Sequence, residues 1–164
     1  MVQMSQTSWQ DSSLAEVKEI LTFAPMNLAI GASPVLHYTL PKELVAGEKI
    51  KYTLVAGFKT ITWTGIIGAI NEGKLMVRLE KGPFRGFTAT HWYEAEGNFT
   101  ACCDEFTFQG FTDISESTFK DLIDNTHVIY ALASRKAARE VELSVEAKKQ
   151  TQSFESLESS ATAG

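Results

Sequence analysis

The chain has 164 residues, about the length of one domain. Its 15 Lys and Arg against 20 Asp and Glu leave a formal net charge of −5, so it has no basic field with which to draw a nucleic acid or an anionic lipid. Hydrophobic residues make up 44%, enough for a core and too many for wholesale disorder, while 11 Gly and 4 Pro are too few for a collagen-like or low-complexity chain.

Residues 1–11 are polar apart from Trp9 and read as a flexible N-terminus. Residues 1–13 hold no Lys or Arg and no long apolar run, so no secretory signal is expected there. No stretch approaches the roughly 20 apolar residues that span a bilayer, and a cytoplasmic protein without an integral membrane segment is expected. Ser13-Leu14-Ala15-Glu16 is a capping box, in which Ser13 accepts from the Glu16 amide while Glu16 reaches back. Leu14, Val17 and Leu21 follow at helical spacing, which predicts a short helix to about Phe23, stopped by Pro25. Residues 26–32 read as an irregular or helical turn.

A series of strands comes next. The first covers 35–40, ended by Pro41. The second, 49–55, alternates Ile50, Tyr52 and Leu54 with Lys49, Lys51 and Thr53. The third, 60–70, is rich in Thr, Ile and Trp, with Gly65 and Gly68 as bulge or bend points. The fourth, 74–80, follows an Asn71-Glu72-Gly73 turn, and Gly82-Pro83 breaks it. Segments 84–95 and 99–109 form the clearest hairpin. A Gly97-Asn98 turn sets Phe87 opposite Phe108, Ala89 opposite Phe106, His91 opposite Asp104 and Tyr93 opposite Cys102. A Glu96-Gly97 turn would slip the pairs by two and leave His91 and Asp104 as diagonal neighbours on the same face.

Ser115 or Ser117 caps a long helix over 116–147. Phe119, Leu122, Ile123, Thr126, Ile129, Tyr130, Ala133, Ala137 and Val141 form its apolar stripe. Residues 148–164 read as a disordered acidic tail, leaving 12–147 as the folded domain. The order of helix, about six antiparallel strands and long helix predicts an α+β fold. In it, a curved antiparallel sheet of about six or seven strands is gripped by a long C-terminal helix. A calycin barrel also ends in a helix, but packs it outside a closed barrel; a long Ala-rich helix suits lying across an open sheet.

Cys102 and Cys103 are adjacent, and neighbours in a strand point to opposite faces, so two free thiols are expected. They and the scattered His37, His91 and His127 lack the four-ligand spacing of a structural zinc site. There is no Gly-rich phosphate loop and no Ser-His-Asp order. No metal and no cofactor are expected.

The segment 48–52, Thr62-Trp63-Thr64, the run Gly82-Pro83-Phe84-Arg85-Gly86-Phe87-Thr88-Ala89-Thr90-His91, and then Asp104 resemble the START-like helix-grip superfamily (SRPBCC). More narrowly, they are similar to its polyketide cyclase/dehydrase-like branch. That branch shows Gly-Pro-Phe, then Trp, then two His two apart, then Asp in the next strand. Here Phe87 stands at the Trp position and Ala89 at the first His position, with His91 and Asp104 at the others. The resemblance covers roughly 12–147. It implies a cavity between sheet and helix for a small apolar molecule such as a lipid, polyketide or isoprenoid-like compound, and in some members cyclisation or dehydration. Fold alone does not decide among these.

His91 and Asp104 share the more apolar hairpin face, where a carboxylate orienting an imidazole makes a general base. The competing reading is a buried polar pair that satisfies itself and fixes register. Tyr52, Trp63, Phe84, Phe87, Ala89, Tyr93, Phe106, Phe108 and, on the helix, Tyr130 are the candidate ligand-binding residues, set against ordinary core packing. Arg78 and Arg85 either anchor an anionic group at a cavity mouth or pair with Glu80, Glu94 or Glu105 at the surface. Three functions follow: a carrier or sensor of a small hydrophobic molecule, a cyclase or dehydratase using His91 and Asp104, and a non-catalytic interaction module. Oligomeric state is left open.

Overall fold

The computed structural model describes residues 1–24, 33–111, 114–128 and 132–162. Among them, eight strands form one sheet: β1 (Val2–Gln10), β2 (Val35–Thr39), β3 (Lys49–Ala56), β4 (Lys59–Asn71), β5 (Lys74–Lys81), β6 (Phe84–Glu96), β7 (Phe99–Phe111) and β8 (His127–Val128). The order across the sheet is β1-β7-β6-β5-β4-β3-β2-β8, with all pairings antiparallel except β2 with β8. The helices are α1 (Leu14–Leu21), α2 (Glu116–Asp124) and α3 (Leu132–Thr162). This is the α+β architecture expected, with a larger sheet.

The local signals work as their chemistry requires. Ser13 caps α1 by accepting from the Glu16 amide, and Val17, Ile20 and Leu21 turn inward. Bulges fall at Thr64/Gly65 and Ile67/Ala69. A side chain at Gly65 would meet Val77 Cγ1 at 2.4 Å, so only glycine fits there. Gly97 opens the hairpin turn at φ +60°, and the register is the Gly97-Asn98 one, with His91 opposite Asp104.

Three expectations need correction. Residues 1–11 are not a flexible lead-in, because β1 pairs with β7 from Val2↔Phe108 to Gln10↔Thr100. Its inward positions after Val2 and Met4 are Gln6, Ser8 and Gln10, so polar residues hide the alternation. The single helix over 116–147 is two helices with β8 between them. Asn125 caps α2, the Thr126 hydroxyl donates back to the Leu122 carbonyl at 2.8 Å, and His127 N–H donates to the Pro34 carbonyl at 3.0 Å. Finally, α3 runs past residue 147 through the stretch read as a tail, and the predicted stripe is not buried at its far end, where Val141 is 63% exposed. Residues 26–32, Ile129 and Tyr130 lie outside the described residues.

The Gln6 side chain joins the two edges of the sheet. Its amide donates to the Val128 carbonyl at 3.1 Å and accepts from the Val128 N–H at 2.9 Å. On the helical side, Lys136 and Arg139 of α3 pair with Glu16 and Glu19 of α1 at 2.9 and 2.6 Å.

Candidate functional site

Strand pleating builds the inner wall. Tyr38, Tyr52 and Trp63 stand in cross-strand register on β2, β3 and β4. Phe87, Ala89, His91 and Tyr93 of β6 face Phe108, Phe106, Asp104 and Cys102 of β7. Because the sheet curves, side chains from β2 and β3 reach those of β6 and β7 across the interior.

One end of this wall is apolar. Trp63, Phe84, Phe87, Phe106, Phe108 and, from α2, Phe119 are buried, and most of their contacts are edge-on, such as Trp63 to Phe84 at 5.2 Å and Phe108 to Phe119 at 5.1 Å. The other end is polar. His91 and Asp104 are 0% and 1% exposed, and His91 Nδ1 meets Asp104 Oδ1 at 2.6 Å. Tyr52 Oη lies 2.7 Å from His91 Nε2. Tyr38 donates to Asp104 Oδ1 at 2.9 Å, and its oxygen is 2.6 Å from Tyr93 Oη. One set of proton positions serves every group: Tyr93 O–H donates to Tyr38, Tyr38 and His91 Nδ1–H donate to Asp104, and Tyr52 O–H donates to His91 Nε2. Tyr52 joins the two ends, stacked on Trp63 at 5.5 Å and 7°.

The electrostatics keep these phenols neutral. Burial first, and the Asp104 charge second, hold Tyr38, Tyr52 and Tyr93 well above the ordinary tyrosine range. Burial likewise pushes the Cys102 thiol up to about 12, and both cysteines are free and buried. Three side chains keep buried polar atoms without partners among the described residues: Trp63 Nε1 at the apolar end, Asp104 Oδ2, and Nε and Nη1 of Arg135 in the first part of α3. Arg135 is 1% exposed and couples electrostatically to Tyr38 and Tyr93.

The fold thus brings together His91, Asp104, Tyr52, Trp63, Phe84, Phe87, Ala89, Tyr93, Phe106 and Phe108; Tyr130 lies outside the described residues. Arg78 and Arg85 are exposed and stand apart, and Glu80 pairs with Lys49 at 2.7 Å. Grooves of about 490, 410 and 360 Å³ run beside Lys51 and Lys81, beside Ser5 and Glu105, and beside Lys18 and Pro41; none is lined by His91 or Asp104. Sequence reasoning missed Tyr38 and Arg135. The alternation Leu36-Tyr38-Leu40 signalled the first. Nothing signalled the second, which sits off the apolar stripe. Among the described residues no three His, Cys, Asp or Glu gather closely enough to hold a metal ion, and no helix is long and apolar enough to cross a membrane.

No family model matches the chain, and no curated protein matches it in sequence. Solved structures do resemble it. The Thermus thermophilus protein TTHA0849 aligns at 13% identity over 74% of this chain and 84% of its own, with a TM-score of 0.49. The 18 kDa protein CC1736 from Caulobacter crescentus aligns at 15% identity over 93% and 98%, with a TM-score of 0.46. Ara h 8.0201 aligns at 15% identity over 87% and 97%, with a TM-score of 0.45. By its own element order, a curved antiparallel sheet followed by a long terminal helix, the chain has the helix-grip fold.

Proposed function

We propose that this protein binds a small, mainly hydrophobic molecule between the sheet and the C-terminal helix, as a carrier or sensor. The observation that carries this reading is the division of the inner wall into an aromatic end and a polar end, with Asp104 Oδ2 buried and unpartnered at the latter. Such a wall matches a molecule with an apolar body and one polar group. Native mass spectrometry of the purified protein tests it, alongside titration with the neutral fluorophore N-phenyl-1-naphthylamine. The expected results are a co-purified apolar ligand or saturable uptake of the probe. A protein that stays at its sequence mass and takes up no probe would sink the idea.

A second reading is acid/base catalysis of the cyclase or dehydratase kind. The 2.6 Å His91–Asp104 contact favours it. Since Tyr52 occupies His91 Nε2, the group passing a proton onward would be the Tyr52 phenol, with His91 and Asp104 behind it. Turnover of a poly-β-ketone substrate that falls together in Tyr52→Phe and His91→Ala would support this reading; undiminished turnover in both would remove it.

A further inference from the structure

Among the described residues, Arg135 is a buried charge without an ion-pair partner. Its side chain is 1% exposed, yet Nε and Nη1 have no hydrogen-bond partner among the described residues. A guanidinium does not escape burial by losing its proton, so an unpaired one is expensive to keep. No acid pairs with it among the described residues. Glu16 and Glu19 on α1 pair with Lys136 and Arg139. Asp104 accepts from His91 and Tyr38 on Oδ1 alone; its Oδ2 has no partner, and no ion pair joins it to Arg135 among the described residues. Helix position deepens the problem. Arg135 stands in the opening turn of α3, which contains no acidic residue, and the positive end of a helix dipole repels a cation and attracts an anion. The Tyr38 and Tyr93 phenols, both held protonated by burial, are within electrostatic reach of the guanidinium.

We propose that the molecule held in the interior carries a carboxylate, and that the buried Arg135 seats it. This rests on the interior-binding reading above and adds the chemistry of the ligand's polar end. It also assigns to Arg135 the anchoring role that the sequence offered to Arg78 and Arg85. The apolar chain of such a ligand would run toward Trp63 and Phe87.

The experiment compares decanoate with decan-1-ol, equal chains with and without the charge, by isothermal titration calorimetry at pH 7.5. The proteins are wild type, Arg135→Met and Arg135→Lys. Wild type is expected to bind decanoate at least about tenfold tighter than decanol, as a charge-assisted hydrogen bond in a buried site warrants. Arg135→Met should bind the two alike, and Arg135→Lys should keep part of the preference. Without ligand, Arg135→Met should melt no lower than wild type, because it replaces an unpaired buried charge with an apolar chain of similar length. The proposal is overturned if wild type binds decanol as tightly as decanoate, which leaves interior binding standing. It is also overturned if Arg135→Met keeps the preference, or if that variant melts far below wild type and so reveals a structural partner. If wild type binds neither chain, interior binding falls and takes the carboxylate with it.

Discussion

Tyr52 shows how much one side chain can link in this protein. Its ring stacks on Trp63 and its hydroxyl caps His91 Nε2, so it joins the apolar and polar halves of the interior. Replacing it with Phe keeps the ring and leaves the imidazole nitrogen unsatisfied in a site with no exposure. The expected cost is about 1–2 kcal/mol, read as a lower urea midpoint at unchanged slope. An unchanged midpoint would mean that the hydrogen bond contributes nothing net. The residue scale is also where legibility in the sequence was uneven. The Gly97-Asn98 turn let His91 be set opposite Asp104, because a two-residue turn fixes every later pair. Arg135 could not be found that way. Its neighbours are helix formers, and no local rule signals a buried cation.

At the scale of elements, the two ends of the chain behave differently from the middle. The antiparallel run from β2 to β7 was legible because turns and alternation agree there. β1 was not, since Gln6, Ser8 and Gln10 occupy its inward positions. The interruption between α2 and α3 was hidden by apolar spacing that continues across it. Truncation separates the two ends. Deleting residues 1–11 removes β1, one of the two partners of β7, together with the Gln6 link, and should lower the melting temperature by about 10 °C or more. Ending the chain after Ala147 removes a helical stretch whose described side chains are exposed, and should shift melting by no more than about 2 °C. Differential scanning calorimetry of both variants checks this; a large loss on the C-terminal cut would show that the distal part of α3 packs on the fold.

For the whole molecule, the buried titratable groups set a stability window. His37 is pulled from its ordinary 6.5 to about 4, by burial first and then by the Arg135 and Lys51 charges. The unfolded chain therefore binds the extra proton more readily, so stability is lost as pH falls from 6.5 through 4. Cys102 titrates near 12 instead of 9.0, and the three tyrosines lie above 10.0. Their neutral forms belong to the folded state, so that contribution is complete below about pH 9 and is lost as pH rises. Urea midpoints measured from about pH 4 to about pH 11 should show a plateau near neutrality that falls on both sides. His37→Gln should flatten the acid limb alone; an acid limb as steep as in wild type would exclude His37 as its source.

The link between Gln6 and Val128 also governs the order of events in synthesis. Val2 pairs with Phe108, and Gln6 waits for Val128, so β1, made before the rest of this sheet, cannot take its place until β7 and then β8 have followed. Until then the β7 edge of the nascent sheet is open. A second chain that arrived first could lend its own β1 to that edge, so an exchanged dimer is the assembly error to which this topology is most exposed.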